Sequence, residues 1–187
     1  MDKARILKLI CEALQKDDAD SASKIARSEY PFTPIQSSKR RNTPQQSVQI
    51  FVRDGFIDRY SGHRLVYPGA LRLLSLLSPE EFPAHPNWKM SESHIVYWEL
   101  FPTIDHVLPV ARGGADDESN WVTTSMLRNS AKSNWTLEEL GWELLPAGDF
   151  NEWDGLSDWF RSYVDSAPQF LGDGQIQKWY RAIDVAC

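Results

Sequence analysis

The segment 103–132 constrains the fold of this chain more than any other part of its 187 residues. A short apolar stretch ends at Asp105–His106, and a polar connection with a proline and two adjacent glycines follows it. Asn120 opens a second short apolar stretch, and Thr124 or Ser125 is placed to cap a helix. This order predicts a strand–loop–strand–helix unit.

Helical patterns flank this unit, so the predicted fold class is α+β, a small ββα core with N-terminal and C-terminal helical extensions. The predicted regions are an N-terminal helical region with a basic loop (1–55), the core (56–145) and a C-terminal helical extension (146–187). Helices are predicted over 3–16, 20–28, 44–53, 71–77, 153–165 and 174–185, with a hairpin near Ser61–Gly62 and a strand over 94–101. The aromatic residues expected to face the core from the last two helices are Trp153, Trp159, Tyr163 and Trp179.

Charge is distributed unevenly along the chain. Residues 24–72 hold nine lysines and arginines against three acidic residues, a net charge of +6. The rest of the chain carries a net charge of −12, which gives −6 for the whole. By itself, this pattern is ordinary charge scatter on a solvated surface. With a further signal for an anionic partner, it predicts that anions are attracted to one face of the protein.

The positions of the cysteines and the hydropathy of the sequence bear on where in the cell the protein is expected. Cys11 and Cys187 lie near opposite ends of the chain, so the sequence contains neither a Cys-x-x-Cys pair nor a disulfide framework. The first residues form an amphipathic pattern, not a signal peptide, and no stretch is apolar enough to span a membrane. These features predict a soluble, cytoplasmic protein without a membrane partner.

The segment 103–132 brings together the chemical groups needed for phosphodiester hydrolysis. It offers one carboxylate, one imidazole, one amide and two cations within a compact unit. A hard cation takes oxygen ligands, a neutral imidazole takes a proton from water, and cationic side chains hold phosphate.

The same segment resembles the HNH (ββα-metal) endonuclease family. In that family, Asp-His and a proline lead through a Gly-Gly loop to an asparagine, and then to Asn-x-x-Lys. The Asn-x-Val-x-Thr pattern at 120–124 is similar to the HNH module of RNA-guided CRISPR nucleases. The resemblance is direct over about 35 residues and extends less securely back to Phe56.

The resemblance implies a function for each matching residue. His106 is expected to be the general base, and Asp105 and Asn129 are expected to bind one divalent cation. Asn120 is expected to brace the connecting loop and so hold His106. Lys132 is expected to support the phosphate or the charge balance of the site.

Family members often carry two Cys-x-x-Cys pairs that hold a structural zinc. The corresponding segments here, 58–62 and 125–128, contain no cysteine, so no structural zinc is expected. Ser133 stands where some members place a further histidine ligand, which favours Mg²⁺ or Mn²⁺. The residues expected to replace the zinc by aromatic packing are Trp88, Trp98, Trp121, Trp135 and Trp142.

The predicted function is therefore metal-dependent cleavage of DNA, with RNA left open as a substrate and a homodimer left open as an assembly. The residues expected to bind nucleic acid are Lys39, Arg40, Arg41, Arg112 and Arg128. Two alternatives stay open: a nucleic-acid-binding module that does not cleave, and a protein-interaction domain that uses the acidic C-terminal region. The residues expected to be structural or solvent-exposed are His63, His85, His94 and the acidic turn Asp116, Asp117 and Glu118.

Overall fold

The computed structural model describes residues 2–32 and 42–186. The chain forms two compact units, Met1–Ser37 and Ser38–Cys187. The basic run Lys39, Arg40 and Arg41 lies outside the described residues, and the region boundaries at 55 and 145 stay predictions. Within the described residues, no helix combines the length and the apolar character needed to cross a membrane.

The first unit contains two helices, α1 (Lys3–Leu14) and α2 (Ala19–Glu29). Both predicted helices are confirmed, and both begin at an aspartate that accepts a hydrogen bond from a backbone N–H of the first turn. The Asp2 carboxylate accepts from Ala4 at 3.2 Å, and the Asp18 carboxylate accepts from Ser21 at 3.0 Å.

The second unit combines helices with one two-stranded antiparallel sheet, which confirms the α+β class. Its strands are β1 (Pro102–His106) and β2 (Trp121–Ser125). Its helices are α3 (Pro44–Arg53), α4 (Pro68–Leu77), α5 (Val96–Glu99), α6 (Met126–Lys132), α7 (Leu137–Leu140), α8 (Ser157–Ser166) and α9 (Gly174–Ala186). Short 3-10 turns occur at Met90–Glu92, Val110–Arg112 and Pro168–Gly172.

The strand–loop–strand–helix unit is present where the sequence predicts it. In the antiparallel register of β1 and β2, Asp105 lies opposite Val122 and His106 lies opposite Trp121. Helix α6 follows β2 directly, because the Ser125 hydroxyl accepts a hydrogen bond from the Arg128 backbone N–H at 3.2 Å. The hairpin predicted near Ser61–Gly62 is reduced to a single antiparallel bridge between Ile57 and Arg64.

The predicted strand over 94–101 is wrong. Helix α5 occupies the middle of this segment, and the Leu100 N–H donates to the Val96 carbonyl at 2.8 Å. Tyr97 and Trp98 are consecutive and both buried. A strand would place these two side chains on opposite faces, whereas consecutive residues of a helix point only about 100° apart, so both can be buried on one side.

The expectation that Trp159 faces the core is also wrong, since this side chain is 39% exposed. Helix α8 buries Ser157, Phe160 and Val164, a spacing of three and four residues that defines its core face. Trp159 lies outside that face and packs against Tyr163, with ring centroids 5.6 Å apart. Trp179 is buried as expected, and Trp153 and Tyr163 are partly buried against the core.

Two buried carboxylates attach β2 to the turn that follows α3. The Asp54 carboxylate accepts from the Thr123 N–H at 2.7 Å and lies 2.9 Å from the Arg59 guanidinium. The Asp58 carboxylate accepts from the Tyr60 N–H, the Thr124 hydroxyl and the Ser125 N–H, each at 3.0 Å.

Asp58 thus joins the segments 58–62 and 125–128, which the resemblance aligns with the cysteine pairs of zinc-binding HNH members. Of the tryptophans expected to replace that zinc, Trp142 packs near this junction, 5.8 Å from the Tyr60 ring. The Arg128 guanidinium also lies over the Trp142 ring at 5.2 Å. Trp88 and Trp98 pack against each other elsewhere, and Trp135 is 47% exposed.

Replacing Asp58 with asparagine should lower the free energy of unfolding by roughly 2–4 kcal/mol, because a buried amide N–H₂ cannot accept from the donors that face it. Urea unfolding measures this difference. The matched control is Asp158→Asn, the same chemical change at an exposed position of α8. Equal stability of the two variants would show that Asp58 does not hold the junction.

Candidate active site

Asp105 and His106 end strand β1 and are almost fully buried, with 5% and 3% of their surfaces exposed. The antiparallel pairing with β2 fixes their backbone, and helix α6 packs against both strands. The strand end therefore places a carboxylate and an imidazole side by side in the interior of the second unit.

Lys132, the last residue of α6, is fully buried and lies against both residues. Its Nζ is 2.8 Å from the Asp105 Oδ2 and donates to the His106 carbonyl at 2.7 Å. A fully buried ammonium does not reach a phosphate at the surface. Of the two functions expected for Lys132, its position supports charge balance.

Tyr60 is a site residue that the sequence analysis did not identify. Its hydroxyl donates to the Asp105 Oδ2 at 2.7 Å. Burial, and secondarily the negative charge of Asp105, raises the pKa of the Tyr60 phenol far above its usual value. The phenol therefore stays protonated and acts as a hydrogen-bond donor to the carboxylate.

Asn120 makes the bracing hydrogen bonds expected from the resemblance. Its side-chain N–H₂ donates to the carbonyls of Leu108 and Ala115, both at 2.8 Å, and its Oδ1 accepts from the Leu108 N–H at 2.9 Å. Gly114 permits this closure, because a Cβ there would lie 1.9 Å from the Leu108 carbonyl oxygen. The connecting loop is thus pinned at both ends by one amide.

The donor atoms of Asp105 and Asn129 fit a hard divalent cation. Both described contacts of the Asp105 carboxylate fall on Oδ2, which leaves Oδ1 for a ligand. The Asn129 N–H₂ donates to the Thr103 hydroxyl at 3.0 Å and the Ile104 carbonyl at 3.1 Å, so its Oδ1 is the atom left for a cation.

Within residues 2–32 and 42–186, no group of three or more His, Cys, Asp or Glu side chains is arranged to hold a metal. A Mg²⁺ ion bound by one carboxylate and one amide would complete its shell with water and substrate phosphate oxygens, as this ion commonly does.

Asp116 is exposed, as expected for the acidic turn, but its carboxylate also lies against His106, a contact that the sequence did not predict. The Asp116 Oδ1 is 2.7 Å from the His106 Nε2, and the Trp121 indole N–H lies 2.9 Å from the same nitrogen. Asp117 does form the expected local turn, since its carboxylate accepts from the N–H and hydroxyl of Ser119. The sequence gives no signal that separates these two neighbouring aspartates.

Two of the cations expected to bind nucleic acid, Arg112 and Arg128, are described, and each lies near an acidic side chain. Arg112 is about half exposed and lies 3.4 Å from the Glu139 carboxylate. Arg128 is about one-third exposed and lies 4.0 Å from the Asp58 carboxylate. Lys39, Arg40 and Arg41 fall outside the described residues, so their placement stays a prediction.

The other histidines lie apart from these contacts. His63 is exposed, His85 lies 3.5 Å from the Glu92 carboxylate, and His94 packs on the Phe82 ring at 5.3 Å. Their positions agree with the structural or exposed functions expected for them.

Comparison of the chain with protein-family models, with curated proteins and with solved structures finds no match. Any function assigned to the chain therefore rests on the residues of this site.

Replacing Lys132 with methionine should lower the free energy of unfolding by about 3–5 kcal/mol, because the buried Asp105 carboxylate is left without its counter-charge. Adding Asp105→Asn to Lys132→Met removes the stranded charge and should recover part of the loss. Urea unfolding of both single variants and the double variant gives the coupling energy. Purely additive effects would mean that the ion pair does not contribute to stability.

Proposed function

We propose that this chain is a metal-dependent endonuclease of the HNH type that hydrolyses phosphodiester bonds in DNA. One observation carries the proposal: Asp105 and His106 at the end of β1 lie next to Asn129, whose side chain on α6 donates to the Ile104 carbonyl. The loop that follows His106 is held by the hydrogen bonds of Asn120. Each of these residues occupies the position in the motif that the resemblance assigns to it.

Asp105 and Asn129 would hold one divalent cation, Mg²⁺ or Mn²⁺. When bound, such an ion stabilises negative charge on the phosphate and on the leaving oxygen. Tyr60 and Lys132 hold the Asp105 carboxylate in one orientation through Oδ2. Their contacts keep its other oxygen directed to the ligand.

His106 would act as the general base in this proposal. Its imidazole takes a proton from a water molecule, and the resulting hydroxide attacks the phosphorus in line with the leaving oxygen. Lys132 fixes the backbone at His106 by donating to its carbonyl. The ring therefore sits on a rigid strand end, as a positioned base requires.

Binding without cleavage is the second candidate function, and the burial of His106 favours it. With only 3% of the residue exposed and Asp116 against one ring nitrogen, water has little access to the imidazole. A nuclease needs that access when substrate is bound, whereas a binding module does not. Measurement of cleavage separates the two functions.

The purified chain should cleave plasmid DNA with Mg²⁺ or Mn²⁺, and His106→Ala should reduce the rate on the order of 10²–10⁴-fold because the general base is lost. EDTA should stop cleavage without changing the melting temperature, since no structural zinc is expected. The gel assay is run beside a thermal melt of each sample.

His63→Ala is the matched control, because it removes an exposed imidazole from the same unit. Wild-type cleavage by His106→Ala, or stoichiometric zinc in the purified protein, contradicts the proposal. DNA binding without cleavage under any divalent cation supports the binding module.

The basic segment should supply most of the attraction for the phosphate backbone. Replacing Lys39, Arg40 and Arg41 with alanine should weaken binding to all sequences alike, because each lysine or arginine that contacts a phosphate releases counterions. The slope of log affinity against log salt should flatten by roughly 0.9 per lost contact. Rates at saturating substrate should be unchanged.

The control removes three exposed positive charges from another part of the chain, through the substitutions Lys3→Ala, Lys8→Ala and Lys16→Ala. If both triple variants show the same salt slope, general charge accounts for the effect. The basic run is then not the docking surface.

A further inference from the structure

We propose that Asp116 is a positioning residue that orients the imidazole of His106 and selects its tautomer, an inference that rests on the proposed function for the significance of that ring. The Asp116 Oδ1 lies 2.7 Å from the His106 Nε2. The imidazole is 4% exposed and the carboxylate 43% exposed. Asp116 therefore covers one edge of a buried ring from the solvent side.

The donors and acceptors around Nε2 determine where the proton lies. The Trp121 indole N–H can only donate, and the ionised Asp116 carboxylate can only accept. If Nε2 accepted from Trp121, its lone pair would face a carboxylate at 2.7 Å. Protonation of Nε2 replaces this repulsion with a hydrogen bond from Nε2–H to Asp116. It gives up the 2.9 Å hydrogen bond from the indole N–H to Nε2, and the indole N–H is left with the same Asp116 oxygen, 3.3 Å away, as its acceptor.

This arrangement leaves the lone pair of the ring on Nδ1. Both described polar contacts of the ring engage Nε2, so Nδ1 is the nitrogen that would receive the water molecule a nuclease must admit to this buried ring. A proton taken from that water forms an imidazolium whose Nε2–H already faces a carboxylate. A carboxylate in contact with the second nitrogen of a histidine fixes both the tautomer and the orientation of the ring.

The loop that carries Asp116 is anchored on both sides of it. Before it, the Ala115 carbonyl accepts from the Asn120 amide. After it, the Arg53 guanidinium of α3 donates to the Glu118 carbonyl at 3.0 Å and to the Trp121 carbonyl at 2.6 Å. These bonds link Asn120 to His106 through Asp116, and they give the carboxylate a fixed position.

The test compares Asp116→Asn with Asp117→Asn, the same change one residue away at a carboxylate that contacts Ser119 and not His106. Heteronuclear NMR of the imidazole nitrogens reads the tautomer without substrate or metal. Wild type and Asp117→Asn should show His106 protonated at Nε2. Asp116→Asn should show a mixture of the two neutral tautomers of His106, because an amide can either accept from Nε2–H or donate to an unprotonated Nε2.

In cleavage assays, Asp116→Asn should reduce kcat on the order of 10–100-fold with little change in KM, and Asp116→Glu should recover part of the loss. An unchanged tautomer in Asp116→Asn overturns the proposal. Faster cleavage by that variant also overturns it, since Asp116 would then block the base. If wild type does not cleave at all, the proposed function fails, and the NMR comparison alone decides whether Asp116 positions the ring.

Discussion

The buried ammonium of Lys132 is the group on which the geometry of the site depends. A charge without solvent is tolerated only where counter-charge and hydrogen-bond acceptors surround it. Lys132 finds both at the end of β1, in the Asp105 carboxylate and the His106 carbonyl. Helix α6 has only seven residues and would not persist alone in water. Its last residue attaches it to the strand, and the Ser125 cap attaches its first turn, so the position of Asn129 follows from these two end contacts.

The charges inside the site largely cancel, which bears on how the proposed anionic substrate would be attracted. Lys132 neutralises Asp105, and Asp116 faces His106, so the interior presents no surplus of positive charge. Arg112 and Arg128 each lie near an acidic side chain. The surplus of positive charge in the sequence falls in the segment 24–72, and the remainder of the chain is acidic. If the proposed function holds, the orientation of a bound polyanion would depend on charges outside the hairpin.

Local signals predicted most of the secondary structure. Helices α1, α2 and α3 lie where the helical patterns at 3–16, 20–28 and 44–53 predict them, and the strand–loop–strand–helix unit follows its turn residues. The contacts that complete the site join residues distant in the chain: Tyr60 and Asp105 are 45 residues apart, and Asp58 and Ser125 are 67 apart. Hydrophobic periodicity and turn residues carry information only about residues that are close in the sequence, so they could not predict these long-range pairs. Asp116 is ten residues from His106 and was still missed, because an acidic run in a loop is usually solvated.

The junction at Asp58 also determines how the fold responds to oxidants. Where cysteine thiolates hold a metal between two turns, peroxide can convert them to sulfenic acids or disulfides, and the turns then separate. The carboxylate of Asp58 has no comparable chemistry. It accepts one hydrogen bond from the Tyr60 N–H in its own turn, and two, from the Thr124 hydroxyl and the Ser125 N–H, just before α6. The attachment of the hairpin to the turn at 58–62 therefore does not depend on the redox state of any thiol.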